Sequence, residues 1–357
     1  MKLILALFLA NSICGASGDE LAQAPSQAES GICLSCNAFE RFYDGRDNTP
    51  AWTGWRRRKH FQALLEVVRD AGSHGFDPGR TGFTVTTPGG VGIDYREFTL
   101  FLRPGETLSL TASEPVAWQD EPASMTLEWS APDTPGHHHT TLTAEDGAQM
   151  SLHLVVMRAR NTGDSAINGY RLGRYPDEPY LGLETYRAPE YFVEVSPGIE
   201  ALPLSPHFRL GQFLCKQEGG DGPAYLVVSE RLVLKLEQIL EAANARGWRT
   251  ESFAVMSGYR TPDYNAGLGN GSYSRHIYGA AADIFIDTDG DGVMDDLNGD
   301  GRHDRADASA LYDLVEEMAG AGHESWLAGG LGEYGPNARH GAFVHVDERG
   351  FRARWGR

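Results

Sequence analysis

Two short segments, about sixty residues apart, constrain the fold of this chain more than any other feature. The first, residues 274–283, reads SRHIYGAAAD, and the second, residues 343–347, reads FVHVD. They offer His276, Asp283 and His345, a set of two imidazoles and one carboxylate. This set suits a catalytic Zn²⁺ that keeps one coordination position open for water. A fold that uses the three ligands together must bring the two segments side by side.

Both segments are typical of buried strands. Residues alternate between the two faces of a strand, so His345 and Asp347 would share one face, about 7 Å apart, while valines fill the other. A single histidine is usually a partly buried residue with a hydrogen-bond partner, and this is the simplest interpretation of His276 and His345. The coincidence of several independent features argues against it and favours a metal site.

The bulk properties limit the class of protein. A chain of 357 residues suits two or three domains, and 41% hydrophobic with 22% charged residues is an ordinary globular composition. The formal net charge of −18 argues against a nucleic-acid partner on electrostatic grounds. Part of that charge is local, because residues 287–307 contain eight aspartates.

The N-terminal residues predict export. Lys2 precedes an apolar stretch at residues 3–10 and then small residues, so we assign residues 1–17 to a signal peptide and expect a secreted or periplasmic protein. No other segment is long and apolar enough to span a membrane. Residues 18–75 are predicted to be a leader followed by one helix. Three cysteines would remain after cleavage, and their disulfide pairing stays open: Cys33, Cys36 and Cys215.

Residues 76–203 have the pattern of a β-domain. Short strand-like runs at 98–102, 108–111, 125–129 and 152–156 are separated by turn signals, which predicts a small β-sandwich of immunoglobulin-like plan. Three consecutive histidines, His137, His138 and His139, suggest a metal site here, although only the first and third would share a strand face. We interpret them as part of a solvent-exposed hairpin loop.

Residues 204–357 have a different character. Apolar residues from Leu232 to Ala243 recur at helical spacing, with Ser229 as a plausible N-cap and Gly247 just past the end. A strand is predicted at 253–256, and a second helix near 307–319. Helices followed by strands that carry the ligands predict an α+β domain with an antiparallel sheet.

Several motifs in this last part carry a family resemblance. They are SGYRTP at 257–262, SxHxxGxAxD at 274–283, GGLGxY at 329–334, FVHVD at 343–347 and a closing Arg354-Trp355. Together they resemble the zinc D-alanyl-D-alanine carboxypeptidase family, whose fold is shared with the hedgehog signalling domain. The resemblance covers residues 204–357 and implies that His276, Asp283 and His345 are the zinc ligands.

The resemblance also implies that Arg260 binds a carboxylate or carbonyl oxygen of the substrate, as a guanidinium beside zinc can do. We assign Arg260, Ser274 and Tyr334 to substrate binding. Many relatives place an acid or histidine two or three residues before the last zinc ligand, where this chain has Ala342 and Phe343.

The general base is therefore an open question. Asp347 is the first candidate, because it should share the strand face of His345. Glu333 and His340 are the alternatives. Asp347 could instead hold His345 in the tautomer that binds the metal.

Directly after Asp283 lies an acidic insertion, residues 287–307. It repeats the pattern D-x-[DN]-x-D-G, in which oxygen ligands fall at positions 1, 3 and 5 and glycine permits a sharp turn. Neither repeat ends in the bidentate glutamate of an EF-hand. We predict calcium binding that rigidifies a loop beside the zinc site, through Asp287, Asp289, Asp291, Asp295, Asp296, Asn298, Asp300, Asp304 and Asp307.

These features together predict an exported zinc metallopeptidase. Its expected substrates are peptidoglycan stem peptides, cut as a D,D-carboxypeptidase or as a cross-link endopeptidase. The main alternative is a non-catalytic zinc-containing module that binds the cell wall, which the absent acid before His345 keeps open. A calcium-dependent adhesin built on the β-domain is a weaker alternative, because the aspartate loops lie in the zinc domain.

Overall fold

The structure is a computed structural model that describes residues 75–119, 121–161, 163–217, 222–320 and 328–357, all within one compact unit. The predicted signal peptide and the helix of the leader lie outside the described residues, as do Cys33 and Cys36. Cys215 is a free thiol. In the described part of the chain, no helix has both the length and the apolar character needed to cross a bilayer.

Short strands dominate the described residues. The first ten are β1 (Arg80–Thr86), β2 (Gly92–Tyr95), β3 (Glu97–Leu102), β4 (Thr107–Trp118), β5 (Glu121–Ser130), β6 (Gly136–Ala144), β7 (Gln149–Val156), β8 (Arg158–Ala159), β9 (Ala166–Ile167) and β10 (Tyr170–Arg171). The others are β11 (Tyr191–Val195), β12 (Ala224–Leu226), β13 (Ala254–Ser257), β14 (Ala281–Phe285), β15 (Gly330–Tyr334), β16 (Phe343–Asp347) and β17 (Ala353–Trp355). The α-helices are α1 (Glu230–Ala245), α2 (Pro262–Gly267) and α3 (Arg305–Gly320), and 3₁₀ turns lie at Tyr180–Gly182, Glu184–Tyr186, Ile199–Ala201, Leu210–Phe213 and Arg275–Tyr278.

Strands β1 to β7 form one hydrogen-bonded sheet. The order is β2-β1-β4-β6-β7-β3, and β5 pairs with β4. Alternate residues of β4 are buried, as the period-two pattern requires, and the four predicted strand runs are confirmed as parts of β3, β4, β5 and β7. The pair β3–β7 is parallel. The immunoglobulin-like plan and the division at residue 203 stay predictions.

The histidine triplet corrects one sequence interpretation. His137, His138 and His139 do not lie in a hairpin loop but in β6, paired with β7. The turn before them ends earlier than expected because β7 supplies a partner for every residue from Gly136 to Thr143.

The second large sheet has the order β13-β14-β16-β15-β17. Its pairs are antiparallel as predicted, except that β17 joins β15 in parallel. Helices α1 and α3 confirm the two predicted helices, and Gly247 follows α1 with a left-handed φ of 93°. Ser229 occupies the N-cap of α1 without a side-chain capping hydrogen bond. This part of the described chain is therefore α+β.

Charged side chains join the β-rich part to α1. Arg80 Nε donates to Glu241 Oε1 at 2.9 Å, and the backbone N–H of Phe101 donates to Glu230 Oε1 at 3.1 Å. His207 bridges the two parts, because its Nε2 lies 3.0 Å from the carbonyl oxygen of Asp77 and its Nδ1 lies 2.7 Å from Oε2 of Glu237, a fully buried carboxylate. A buried charge of this kind needs its partner, so these contacts hold the two parts in register.

Candidate metal centre

A row of cross-strand neighbours builds the centre of the site. Ser257 of β13 pairs with Asp283 of β14, which pairs with His345 of β16. His345 pairs in turn with Gly332 of β15, and Gly332 with Trp355 of β17. Paired residues point to the same face of a sheet, so the strand register alone places these side chains together.

Gly332 in this row is required by close packing. A Cβ atom at this position would lie 2.2 Å from Nε1 of Trp355, so a larger residue would push the indole away. The indole instead lies over the sheet, with its ring centroid 5.1 Å from that of His345. The sequence motif around residue 332 thus has a steric cause.

His276 reaches the site from a 3₁₀ turn that leads into β14. Gly279 ends this turn with a φ of 66°, a left-handed conformation that favours glycine. His276 Nδ1 lies 2.7 Å from the carbonyl oxygen of Gly258. A carbonyl can only accept, so Nδ1 carries the proton and the lone pair of Nε2 faces the centre of the site.

Three donor atoms converge there. His276 Nε2 and His345 Nδ1 are 3.2 Å apart, and Asp283 Oδ1 lies 2.8 Å from the latter and 3.2 Å from the former. All three residues are buried. A tetrahedral Zn²⁺ with Zn–N distances of about 2.0–2.1 Å holds two ligand nitrogens about 3.3 Å apart. The donor set and its spacing therefore fit a zinc ion.

The electrostatics of the three residues are coupled. Burial opposes ionisation of Asp283, but the two imidazoles outweigh it and hold the pKa of this carboxyl well below its usual range. Burial lowers the pKa of His276. Burial also acts against protonation of His345, but its carboxylate partners outweigh this and raise its pKa. A bound metal would compete with the proton for the same lone pairs and keep both imidazoles neutral.

Arg260 lies against the ligand set. Its Nη2 donates to Asp283 Oδ2, and its Nε donates to Ser257 Oγ at 2.8 Å. The guanidinium therefore fixes the aspartate with Oδ1 turned toward the histidines. Its Nη1 has no hydrogen-bond partner among the described residues, which leaves a donor for another group.

Asp347 lies on the far side of the His345 ring. Its Oδ2 is 3.0 Å from His345 Nε2, whereas Nδ1 of the same ring faces the other ligands. Arg349 Nη2 donates to Oδ2 at 2.6 Å, and the N–H of Gly330 donates to Oδ1 at 2.7 Å. The carboxylate is fully buried. These contacts favour the second predicted role, in which Asp347 orients the imidazole, over that of general base.

The two other candidate bases lie outside the set of three ligands. Glu333 is on the opposite face of β15, where Arg305 Nε and Arg357 Nε donate to its two oxygens at 2.7 and 2.9 Å. His340 packs edge-on against Phe343, with ring centroids 4.9 Å apart, and its Nδ1 lies 2.7 Å from the carbonyl oxygen of the next residue.

An aromatic rim borders the site. Tyr334 stacks on Phe343 with ring centroids 4.4 Å apart, and its hydroxyl accepts a hydrogen bond of 2.7 Å from Trp355 Nε1. Tyr334 is 36% exposed, and burial of its remainder raises its pKa. Ser274 precedes the 3₁₀ turn and makes no side-chain capping hydrogen bond to it.

The acidic insertion forms two similar turns. In the first, Asp287 accepts the N–H groups of Gly290 and Gly292 at 2.8 and 3.0 Å. In the second, Asp296 accepts those of Gly299 and Gly301, both at 2.7 Å. The first turn brings Asp287, Asp289 and Asp295 close enough to share a cation, although exposed acidic groups often cluster without one. Asp307 is buried and accepts hydrogen bonds from Leu297 and Asp304 at 2.9 Å each.

The comparison with protein families agrees with this geometry. Residues 206–294 match the family model described as Peptidase M15. The resemblance to zinc D-alanyl-D-alanine carboxypeptidases is thereby confirmed for about a quarter of the chain. No curated protein shows significant similarity to the chain.

The matched segment contains Arg260, His276 and Asp283 but ends before His345. M15 peptidases depend on zinc, and the buried His–Asp–His group is consistent with that dependence. The pairing of β16 with β14 brings the third ligand from outside the matched segment.

Proposed function

We propose that this protein is an exported zinc metallopeptidase that hydrolyses peptidoglycan stem peptides, as a D,D-carboxypeptidase or a cross-link endopeptidase. The observation that carries the proposal is the buried cluster of His276, Asp283 and His345, with an orienting acceptor behind each imidazole. The M15 match of the segment that holds the first two supports it independently.

The three ligands would bind the metal through His276 Nε2, His345 Nδ1 and Asp283 Oδ1. A zinc ion held in this way would supply a Lewis acid and would lower the pKa of a bound water to about 7. The chain keeps both imidazoles in the required tautomer, through the Gly258 carbonyl for His276 and through Asp347 for His345. This preorganisation sets the orientation of both rings, so a bound metal would replace the contact of Asp283 with the two imidazoles without turning either ring.

Arg260 would bind the substrate. Its Nε and Nη2 are engaged by Ser257 and Asp283, so the guanidinium plane is fixed, and the remaining Nη1 can donate to a carboxylate or to a peptide carbonyl oxygen. A hydrogen bond from a charged donor of this kind is stronger than one between two neutral groups. A terminal D-alanine carboxylate would suit this donor.

The exposed face of Tyr334 and the indole of Trp355 would form an apolar border for the side chains of the peptide. Of the three predicted bases, we retain His340, because its ring packs on Phe343, which stacks on Tyr334 at the rim of the site. To act as a base, His340 Nε2 would exchange its contact of 2.6 Å with Asn337 Nδ2 for a water molecule. His340→Ala would then lower kcat at full zinc occupancy without changing zinc affinity. Equal kcat values for this variant and the parent protein would remove His340 from the mechanism.

Digestion of purified muropeptides by the zinc-loaded protein, followed by mass spectrometry, tests the proposal. Loss of one D-alanine from monomeric pentapeptides indicates a carboxypeptidase, and conversion of cross-linked dimers to monomers indicates an endopeptidase. His276→Ala should abolish either product, whereas His138→Ala, a histidine on β6, should not. If the zinc-loaded protein forms neither product but still binds peptidoglycan in a pull-down, the non-catalytic wall-binding alternative replaces the enzyme.

We also propose that the acidic insertion binds calcium, through the nine oxygen-bearing residues that the sequence predicts. In the first loop, carboxylate oxygens of Asp287, Asp289 and Asp295 lie within 4.8 Å of one another, which supports a cation site there. Calorimetric titration with Ca²⁺ should show binding that Asp287→Asn weakens, with Asp313→Asn on α3 as a control. No heat of binding at millimolar Ca²⁺ would reject the calcium role.

A further inference from the structure

The histidine triplet of β6 meets a fourth histidine on the neighbouring strand. His139 pairs directly with His153 of β7, and His137 lies two residues away on the same face of β6. The ring of His153 lies 5.2 Å from that of His137 and 4.9 Å from that of His139, measured between centroids. His138 points to the other face, where its ring contacts Trp129.

Two of these imidazoles already stand at ligand distance. His137 Nε2 and His153 Nδ1 are 3.0 Å apart. The corresponding distance between His276 Nε2 and His345 Nδ1 is 3.2 Å, and a tetrahedral metal with bonds of about 2.0–2.1 Å needs about 3.3 Å. The first pair therefore has nearly the spacing of the metal centre in the C-terminal part.

The second nitrogen of His153 has an orienting carboxylate. His153 Nε2 lies 3.4 Å from Glu97 Oε1, and Arg209 Nη1 donates to Glu97 Oε2 at 3.3 Å. With its proton on Nε2, His153 turns the lone pair of Nδ1 toward His137. Asp347 and Arg349 stand behind His345 in the same order, so His153 and His345 share one carboxylate–histidine arrangement.

A hydrogen bond between two neutral imidazoles would explain the contact of His137 with His153. That explanation gives no role to His139, the third histidine on the same face. His137 and His139 are exposed, whereas His153 is buried, so solvent and ions reach the first two rings directly. The exposed His139 ring can change rotamer within nanoseconds to bring a nitrogen toward the other two.

We propose that His137, His139 and His153 form a second metal site, for a divalent ion of the imidazole-binding class such as Zn²⁺, Co²⁺, Ni²⁺ or Cu²⁺. His137 Nε2 and His153 Nδ1, 3.0 Å apart, are the two ligands already at metal-binding distance, and His139 closes the site. Glu97 is a positioning residue that acts through His153. The bound ion crosslinks β6 to β7 and, through Glu97 and Arg209, couples them to the M15 segment.

Metal content after dialysis of the untagged protein against Zn²⁺ tests the site, with excess Ca²⁺ present to occupy the aspartate loops. We expect two zinc ions per parent chain and one in His276→Ala. His137→Ala should retain one, and the combination of both substitutions should retain none. The matched control is His138→Ala, the neighbour on the opposite face, which should retain two.

A second measurement separates binding from folding. Cu²⁺ added to His276→Ala should give an electron paramagnetic resonance spectrum with nitrogen hyperfine coupling, which His137→Ala or His153→Gln should remove. Since His137 is exposed, its loss should leave the circular dichroism spectrum unchanged. If His276→Ala and the His276→Ala/His137→Ala protein bind equal amounts of zinc and give the same copper spectrum, the site does not exist.

Discussion

Replacing Asp347 by asparagine separates the two roles that this residue could have. Asparagine keeps the shape and one oxygen, which can still accept from the N–H of Gly330, but it turns an NH₂ group toward His345 Nε2. That nitrogen must then accept, so the proton moves to Nδ1, the atom that faces the other ligands. The substitution should thus put the imidazole in the tautomer that cannot bind a metal.

The size of the effect follows from the contact that is lost. Removal of an orienting partner of a metal-bound histidine lowers metal affinity by about 10–100-fold, or about 1.4–2.8 kcal/mol. The substitution also removes the negative charge that pairs with Arg349. Breaking a fully buried ion pair costs about 3–5 kcal/mol of stability, which is the upper limit here. Arg349 keeps some exposure, so we expect a smaller loss of stability and a protein that still folds.

Zinc affinity by competition with a chromophoric chelator, followed by peptide hydrolysis at saturating zinc, measures both consequences. Asp347→Asn should lose zinc affinity and recover much of its activity in excess zinc. Glu348→Gln, a buried neighbour that hydrogen-bonds Ser229, is the matched control. Unchanged zinc affinity together with a large loss of kcat at saturation would refute the orienting role and make Asp347 the base.

Three further substitutions test other contacts. Arg260→Lys keeps the charge but loses the planar fork, so kcat/KM on D-alanine-terminated peptides should fall about 10–100-fold, and equal kinetics would contradict a substrate-binding role. Gly279→Ala should lower the free energy of unfolding by more than about 2 kcal/mol in a denaturant titration, because its Cβ would lie 2.2 Å from a backbone carbonyl oxygen at a left-handed φ. Gly271→Ala, in open space, is the control, and equal losses would contradict this explanation. Burial acts against protonation of His207, but Glu237 outweighs it and raises the pKa of His207 above its ordinary value of 6.5. Folding therefore stabilises protonated His207, and this contribution to the free energy of unfolding is complete below pH 6.5 and is lost as the pH rises through the raised pKa. His207→Gln should remove this pH-dependent loss of stability. Equal slopes of the free energy of unfolding against pH in the variant and the parent protein would contradict the role of His207.

Local patterns account for what the sequence could predict. The helical stripe from Leu232 to Ala243 contains its own period, and the strand-like runs in β3, β4 and β7 are bounded by local turn signals, so these elements are predicted near their observed places. The spacing of His276 and Asp283 likewise lies within one segment. The match with Peptidase M15 covers that same segment, which is why the family could be recognised from it.

Non-local pairing decided what could not be predicted. The alternation of side chains along a strand predicts that Asp347 and His345 share one face. Only the side-chain conformation shows that the Asp347 carboxylate contacts His345 Nε2, the ring nitrogen that points away from His276 and Asp283. Glu333 faces away from the site because Gly332, one residue earlier, pairs with His345. Trp355 joins the site through a parallel edge pair, for which its local sequence has no signal.

The histidines of β6 show the same limit. The preceding Pro135-Gly136 favoured a loop, and only the pairing with β7 shows a strand that sets His139 opposite His153. The signal available in the sequence was a histidine, His153, inside the apolar run at 152–156 that is predicted to be a strand.

An anomalous difference map at the zinc absorption edge, from crystals of the zinc-loaded protein, tests the central assignment most directly. We expect a peak about 2.0–2.2 Å from His276 Nε2, His345 Nδ1 and an oxygen of Asp283, with no other protein ligand. Zinc bound elsewhere on the chain but absent from these three side chains would contradict the proposed metallopeptidase centre.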